Sequence, residues 1–174
     1  DRYDLFREAL KHVTGASPLY LEFGVYQGDT LRWWCENVSS PGARFVGFDS
    51  FEGLPEDWHE HAKAGLFAVD TIPEPPDDRA SFEVGWFDQT VPGFTLPPHD
   101  QLIVNIDSDL YSSAVLVLTE MEPHLVPGTL IYFDELSDIN HELKAWREFL
   151  ARTSLKVEAL GMATGGTNWL FRVI

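Results

Sequence analysis

The strongest constraint in this chain is a repeated pattern: short apolar runs with the length of buried strands alternate with stretches that have helical spacing, and the apolar runs end in acids or glycine. Leu19–Val25 (LYLEFGV), Arg44–Phe51 (RFVGFDSF), Gln101–Asp107 (QLIVNID) and Thr129–Phe133 (TLIYF) are such runs, and Ser81–Phe87 is a further strand candidate. Between them, Asp4–Val13, Thr30–Val38, Ser112–Glu122 and His141–Arg152 carry helical spacing. Leu31, Trp34, Cys35 and Val38 fall at i, i+3, i+4 and i+7, and Leu143, Trp146, Phe149 and Leu150 are read as the core face of the last helix. Apolar strands separated by helices predict a parallel sheet covered on both faces. Lys156–Met162 and Asn168–Ile174 flank Gly165-Gly166, a hairpin signal that adds an antiparallel strand. The expected fold is α/β, with 1–174 as a single domain.

Residues 58–79 break the alternation. They hold Pro73, Pro75, Pro76 and several charges, so a long surface loop or partial lid is expected, with room for a short helix. The chain carries 12 basic and 28 acidic residues, a formal charge of −16. With no basic patch, that balance repels nucleic-acid backbones and anionic membrane surfaces, so neither is expected as a partner. Cys35 is the only cysteine, which leaves no internal disulfide. No apolar run reaches the ~18–20 residues of a membrane span, and no signal peptide is visible. A cytoplasmic location is the matching expectation.

In open parallel sheets, ligands sit beyond the carboxyl ends of the strands, so the residues just after each strand carry the functional signal. The first strand runs into Glu22-Phe23-Gly24-Val25-Tyr26-Gln27-Gly28-Asp29-Thr30. Two glycines permit a tight turn and close approach of a ligand to the backbone, and the next helix begins with free N–H groups. Glu22 would suit the amino group of a zwitterionic ligand. The spacing is Gly-x-x-x-Gly rather than Gly-x-Gly-x-x-Gly, which counts against a nicotinamide dinucleotide and an oxidoreductase. Asp49, 27 residues after Glu22 at the end of the second strand, stands where an acid accepts both hydroxyls of a ribose.

Two further clusters, Asp107-Ser108-Asp109 and Asp134-Glu135, end neighbouring apolar strands. Carboxylates gathered at one sheet edge repel each other unless a cation or protons intervene. Hard oxygen donors of this kind suit magnesium or calcium. Helix capping by Asp109 or Asp134 is the plainer alternative.

Taken together, LEFGVYQGDT, VGFDSFEGLPE, GWFDQTVP and IDSDLYSSAVLVLTEMEPHLVPGTLIYFDE resemble class I methyltransferases, specifically the macrocin O-methyltransferase (TylF/NovP-like) family, from about Pro18 to Leu150. The resemblance implies a Rossmann-like, seven-stranded sheet, S-adenosylmethionine as methyl donor, and Mg2+ or another divalent cation. By position it implies that Glu22, Phe23, Gly24, Tyr26 and Thr30 form the cofactor loop and that Asp49 holds the ribose with Ser50 beside it. It places Gly85, Trp86 and Phe87 near the adenine, and makes Asp107, Asp134 and Glu135 the metal acids, Asp107 also touching the cofactor. Asp109 matches an acid proposed as general base, and His141 is a second base candidate, although a histidine in the first helical turn is the plainer reading. Trp58, His59 and His61 are candidates for the acceptor wall.

The chain departs from the family pattern in three respects. The family commonly has Asp-Asp where Asp134-Glu135 stands, its longer N-terminal region is represented by one helix, and Leu110 replaces the lysine of catechol-type relatives. The acceptor is then a small-molecule hydroxyl, with a sugar or glycosylated natural product inherited from the resemblance alone, and self-association is implied in the same way. A cofactor-binding protein without catalysis is the alternative.

Overall fold

The computed structural model describes residues 1–174. In chain order the elements are α1 (Arg2–Leu10), β1 (Pro18–Phe23), α2 (Asp29–Asn37), β2 (Arg44–Asp49), β3 (Ala80–Val84), α3 (Phe87–Thr90), β4 (Gln101–Ile106), α4 (Tyr111–Met121), β5 (Leu130–Phe133), α5 (Glu142–Arg152), β6 (Val157–Met162) and β7 (Trp169–Val173). A 3-10 turn, Glu122–His124, follows α4. The seven strands form one sheet in the order β3-β2-β1-β4-β5-β7-β6. Pairings from β3 through β5 are parallel, and β7 runs antiparallel to both β5 and β6. The parallel sheet expected from the alternation and the Rossmann-like, seven-stranded form implied by the resemblance are therefore present. Strand order reverses between β1 and β4, which opens a crevice at their carboxyl ends.

Strand alternation divides the core in two. Leu19, Leu21 and Phe23 of β1 point to the face covered by α4 and α5, where they join Phe48, Ile106, Phe133, Trp146 and Phe149. Tyr20 points to the opposite face, covered by α1 and α2, with Phe6, Trp34, Phe45 and Tyr132. Burying each Phe or Leu side chain stabilises by about 1.5–3 kcal/mol, so both helical layers are held mainly by apolar contact. Asp1 and Asp4 form a reciprocal capping box that starts α1.

Several expected boundaries shift. The third strand stops at Val84, because Gly85 takes φ +150°, and Phe87–Thr90 forms a short helix instead of strand. The buried stripe of α5 is Glu142, Ala145, Trp146 and Phe149, while Leu143 and Leu150 are only partly buried. The 58–79 segment contains no helix; its regular structure is one bridge between His59 and Ala62.

One glycine fixes how closely β1 approaches β4. Gly24 has φ +100°, and a Cβ there would lie 1.9 Å from the Asp107 carbonyl oxygen. Gly24→Ala is therefore expected to destabilise the fold by at least about 2 kcal/mol. Urea unfolding should show a lower midpoint with an unchanged slope, and an unshifted midpoint would contradict this close approach.

Candidate functional site

A cavity of about 1280 Å³ lies over the β1/β4 crossing. Its floor is the β1–α2 loop, where Gly24, Tyr26 and Thr30 line it. Gly28 is the N-cap of α2 in a left-handed conformation, and no side chain caps that helix, so its first amides face outward without a side-chain acceptor. Asp49 and Ser50 after β2, and Gly85, Trp86 and Phe87 after β3, line one side. Asp107 and Asp109 after β4 and Asp134 and Glu135 after β5 line the other. Leu54, Pro55, Glu56 and Trp58 of the long loop form a further wall, and Arg2 and Tyr3 of α1 close an edge.

Five expected residues lie off this surface: His59 and His61, which unlike Trp58 do not line the cavity, and Glu22, Phe23 and His141. Glu22 is fully buried on the α1/α2 side of β1. Its Oε2 accepts the Tyr20 hydroxyl at 2.5 Å and the Asn105 amide at 3.5 Å, and its Oε1 has no partner. Burial pushes its carboxyl up to about 8. As folded, its side chain does not reach a ligand's amino group. Phe23 points to the other face and stacks on Phe48, with 4.8 Å between ring centroids. Its backbone still helps shape the site, since its carbonyl accepts the Asp107 N–H at 2.9 Å. His141 is the N-cap residue of α5 and does not line the cavity. Its Nδ1 accepts the Tyr111 N–H at 3.2 Å, which turns the ring toward the start of α4.

Asp49 organises the cofactor-loop side. Its Oδ2 accepts the N–H groups of Val25 and Tyr26 at 2.7 and 2.9 Å, and its Oδ1 accepts that of Phe51 at 2.7 Å. A carboxylate offers about four acceptor positions, so roughly one remains for a ligand hydroxyl. Tyr26, Phe51, Phe67 and Asp109 all hold positive φ, between 52° and 68°, and all but Phe51 line the cavity. Backbone of this kind costs about 1–3 kcal/mol per residue and concentrates at functional sites.

The acids at the ends of β4 and β5 meet a guanidinium. Arg2 Nη2 donates to Asp134 Oδ2 at 2.7 Å, and Nη1 lies 3.5 Å from Asp107 Oδ2. Asp134 Oδ1 accepts Asn168 at 2.6 Å and Tyr132 at 3.0 Å, so both of its oxygens are engaged. Burial and then the charge of Asp134 hold Asp107 well above the usual carboxylate range, with Arg2 opposing. Burial, then Asp134 and Glu135, push Asp109 up to about 7. Neither Asp109 nor Asp134 caps a helix with its side chain; the N-cap of α4 is Leu110. The donor atoms of Asp107, Asp134 and Glu135 do not gather into a metal-sized group. The one set of three such side chains whose ligand atoms all lie within 4.8 Å is His59, Asp138 and His141.

Glu142 was not singled out in the sequence, yet it positions the acids. It is fully buried, and its Oε1 accepts the N–H groups of Ser108 and Asp109 at 3.0 and 3.2 Å. Its Oε2 accepts the Glu135 N–H at 3.1 Å. Burial pushes its carboxyl up to about 8, opposed by those backbone donors. The available signal was its place at the head of the stripe shared with Ala145, Trp146 and Phe149, where an acid on a core face needs buried donors.

Removing that acceptor strands three backbone donors, so Glu142→Ala is expected to lower unfolding free energy by at least about 2 kcal/mol in urea titration. A loss under about 0.5 kcal/mol would show that water replaces the carboxylate freely. Glu22 supplies a pH test. Between its ordinary value of 4.5 and its folded value of about 8, the folded chain keeps a proton that the unfolded chain has released. Its contribution is complete below that window and is lost as pH rises through it. Stability should therefore fall from pH 5 to 8, with a shallower decline in Glu22→Gln; equal slopes would place the titration elsewhere.

The comparisons with known proteins agree with this geometry. A 4'-O-methyltransferase of Streptomyces olivaceus that acts on 8-demethyl-8-(2,3-dimethoxy-alpha-L-rhamnosyl)-tetracenomycin-C is 32% identical over 136 residues, covering 66% of this chain. The chain spans 51% of that relative's length. Among solved structures, the calicheamicin methyltransferase CalS11 superposes with a TM-score of 0.73 at 24% identity, over 97% of this chain and 76% of its own. The O-methyltransferase NovP superposes with a TM-score of 0.73 at 20% identity, over 98% and 78%. At these identities the two structures speak for the fold. The family description "Methyltransferase domain" matches residues 21–136, the segment that runs from β1 through the acids after β5. That match, over more than half of the chain and most of the crevice lining, makes this chain a member of the methyltransferase-domain family.

Proposed function

We propose that the domain transfers a methyl group from S-adenosylmethionine to a hydroxyl oxygen of a small molecule, with a glycosylated natural product as the acceptor class. The observation that carries the reading is one continuous cavity joining Asp49 and the open N-terminus of α2 to Asp109. Its volume exceeds the ~300–1,000 Å³ of a typical single-ligand pocket, leaving room for donor and acceptor together. The tetracenomycin-modifying relative supports the acceptor class.

The β1–α2 loop fits the cofactor: Gly24 permits close backbone approach, Asp49 retains an acceptor position for a ribose hydroxyl, and Gly85–Phe87 offer an aromatic wall for a base. When bound, S-adenosylmethionine supplies an electrophilic methyl group on a sulfonium. The chain's own contribution is alignment and proton removal, and alignment accounts for a large part of such barriers. Asp109, raised to about 7, is the general base that takes the acceptor proton near neutral pH. Its left-handed backbone directs the carboxyl into the cavity, where it is held by the Glu142 bond to its N–H.

Mg2+ at Asp107, Asp134 and Glu135 is the other expectation of the resemblance. The solved structure described as cmcI-D160 Mg-SAM shares the fold, with a TM-score of 0.64 at 12% identity. As folded, the three acids do not fit a divalent ion, because Arg2 takes up Asp134 Oδ2 and approaches Asp107. No step is assigned to the ion, and Arg2 is read as the counter-cation of the cluster.

Calorimetric titration with S-adenosylhomocysteine should show one site that weakens at least about tenfold in Asp49→Ala. Methyl transfer to a panel of rhamnosylated acceptors should persist in a chelator. Absence of homocysteine-adduct binding by folded protein overturns the function, binding without transfer across the panel favours the non-catalytic alternative, and loss of rate on chelation overturns the role given to Arg2.

A further inference from the structure

We propose that His59, Asp138 and His141 bind a divalent transition-metal ion of the zinc type, which fastens the 50–79 loop over the cavity. The site is separate from the acids that Arg2 neutralises. It joins two parts of the chain: His59 belongs to the loop, while Asp138 and His141 belong to the turn between β5 and α5.

The three ligand atoms already lie within 4.8 Å of one another. His59 Nε2 and Asp138 Oδ2 are 3.1 Å apart. On an ion with bonds of ~2.1 Å, that separation corresponds to an angle of roughly 95°, an ordinary value for adjacent ligands. Ligands at tetrahedral angles on such an ion are ~3.4 Å apart, so no pair has to close by more than ~1.4 Å, within reach of a side-chain rotation. The rings are already ordered. Trp58 stacks on His59 with centroids 4.7 Å apart, and His59 meets His141 edge to face at 5.5 Å. Two imidazoles with one carboxylate select zinc, copper or nickel over magnesium, which the all-oxygen acids would prefer.

Binding exchanges existing contacts without net oxidation or reduction. Asp138 Oδ2 now lies 3.1 Å from His59 Nε2 and accepts from Trp58 Nε1 at 3.3 Å. The ion takes the place between His59 Nε2 and Asp138 Oδ2, and His59 binds as the neutral imidazole with its proton on Nδ1, any proton on Nε2 passing to Nδ1 or to water. His141 gives up the Tyr111 N–H whichever nitrogen ligates, because an imidazole bound through Nε2 carries its proton on Nδ1. The Tyr111 amide thus reports occupancy. The half-exposed His59 leaves a ligand position open to water.

The consequence falls on the loop. Apart from these contacts, its cavity-facing part is tied to the body by Ser112 Oγ donating to Glu56 Oε1 at 2.5 Å, by the buried Leu54, and by Phe67 meeting Tyr26 edge to face at 5.6 Å. Leu54, Pro55, Glu56 and Trp58 wall the cavity next to His59, so an ion bridging to Asp138 and His141 holds that wall closed.

The test titrates Zn2+ into the wild-type domain and into His59→Ala, His141→Ala and His61→Ala. One site is expected in the wild type and in His61→Ala, weakened at least about tenfold in the other two. With Cu2+ as a paramagnetic probe, electron spin resonance should show nitrogen coupling from two imidazoles, and proteolytic cleavage near Lys63 should slow when Zn2+ is added to the wild type but not to His59→Ala. Circular dichroism shows whether each variant is folded. No binding by folded wild type, equal binding in all variants, or an all-oxygen copper spectrum overturns the site; unchanged cleavage with the site filled overturns the fastening. These readouts do not depend on methyl transfer.

Discussion

The Glu142 carboxylate receives backbone donors from both turns that follow the two central strands, Ser108-Asp109 after β4 and Glu135 after β5. Such turns carry amides that no strand neighbour can satisfy, and burying them without an acceptor is costly. A single side chain from α5 meets that need and, in doing so, sets the spacing between Asp109 and Glu135. The helix is in turn anchored by Trp146 and Phe149 against Phe133 and Phe171, so site geometry is referred to the apolar core rather than to a flexible loop. Asp49 plays the matching part on the other side, tying the β1–α2 loop to the end of β2 through the Val25 and Tyr26 amides and closing its own turn through the Phe51 amide.

Charge sets the second constraint. Asp107, Asp109, Asp134 and Glu135 share one cavity wall, with Glu142 behind them, and all five carboxyls are pushed upward, burial being the largest cause in each. Arg2 supplies a positive charge, and retained protons supply the remainder of the relief. The resulting Asp109 is a weaker acid than a surface aspartate and a correspondingly stronger base. The arrangement that makes the cluster difficult to bury also gives it chemistry near neutral pH.

The sheet and most of the cavity wall were legible because they follow from periodicity and from acids or glycines at strand ends. Gly24, Asp49, Asp107, Asp109, Asp134 and Glu135 stand out in that way, Gly85 only through the family resemblance, and all of them line the cavity. Glu22 was misplaced because the strand-end rule ignores alternation: it is one residue before the last position of β1, and its side chain points into the core. Glu142 was hidden because its partners are backbone amides, which have no sequence signature. Arg2 and the His59–Asp138–His141 group bring together residues separated by 79 or more positions (His59 to Asp138). Only the tertiary fold makes such neighbours.

The two sides of the cavity differ in how they are built. The strand-end side is continuous with the sheet and cross-linked by buried carboxylates, while Pro55 and Glu56 of the opposite wall are exposed and held by the polar contact of Ser112 with Glu56. Changes in the second wall leave the apolar core untouched, and surface substitutions of that kind usually alter stability by no more than about 0.5 kcal/mol. Substitution there can therefore reshape which molecules fit beside the strand-end acids while the apolar core stays the same. For the engineer, a library confined to Pro55 and Glu56 explores new shapes without eroding the scaffold.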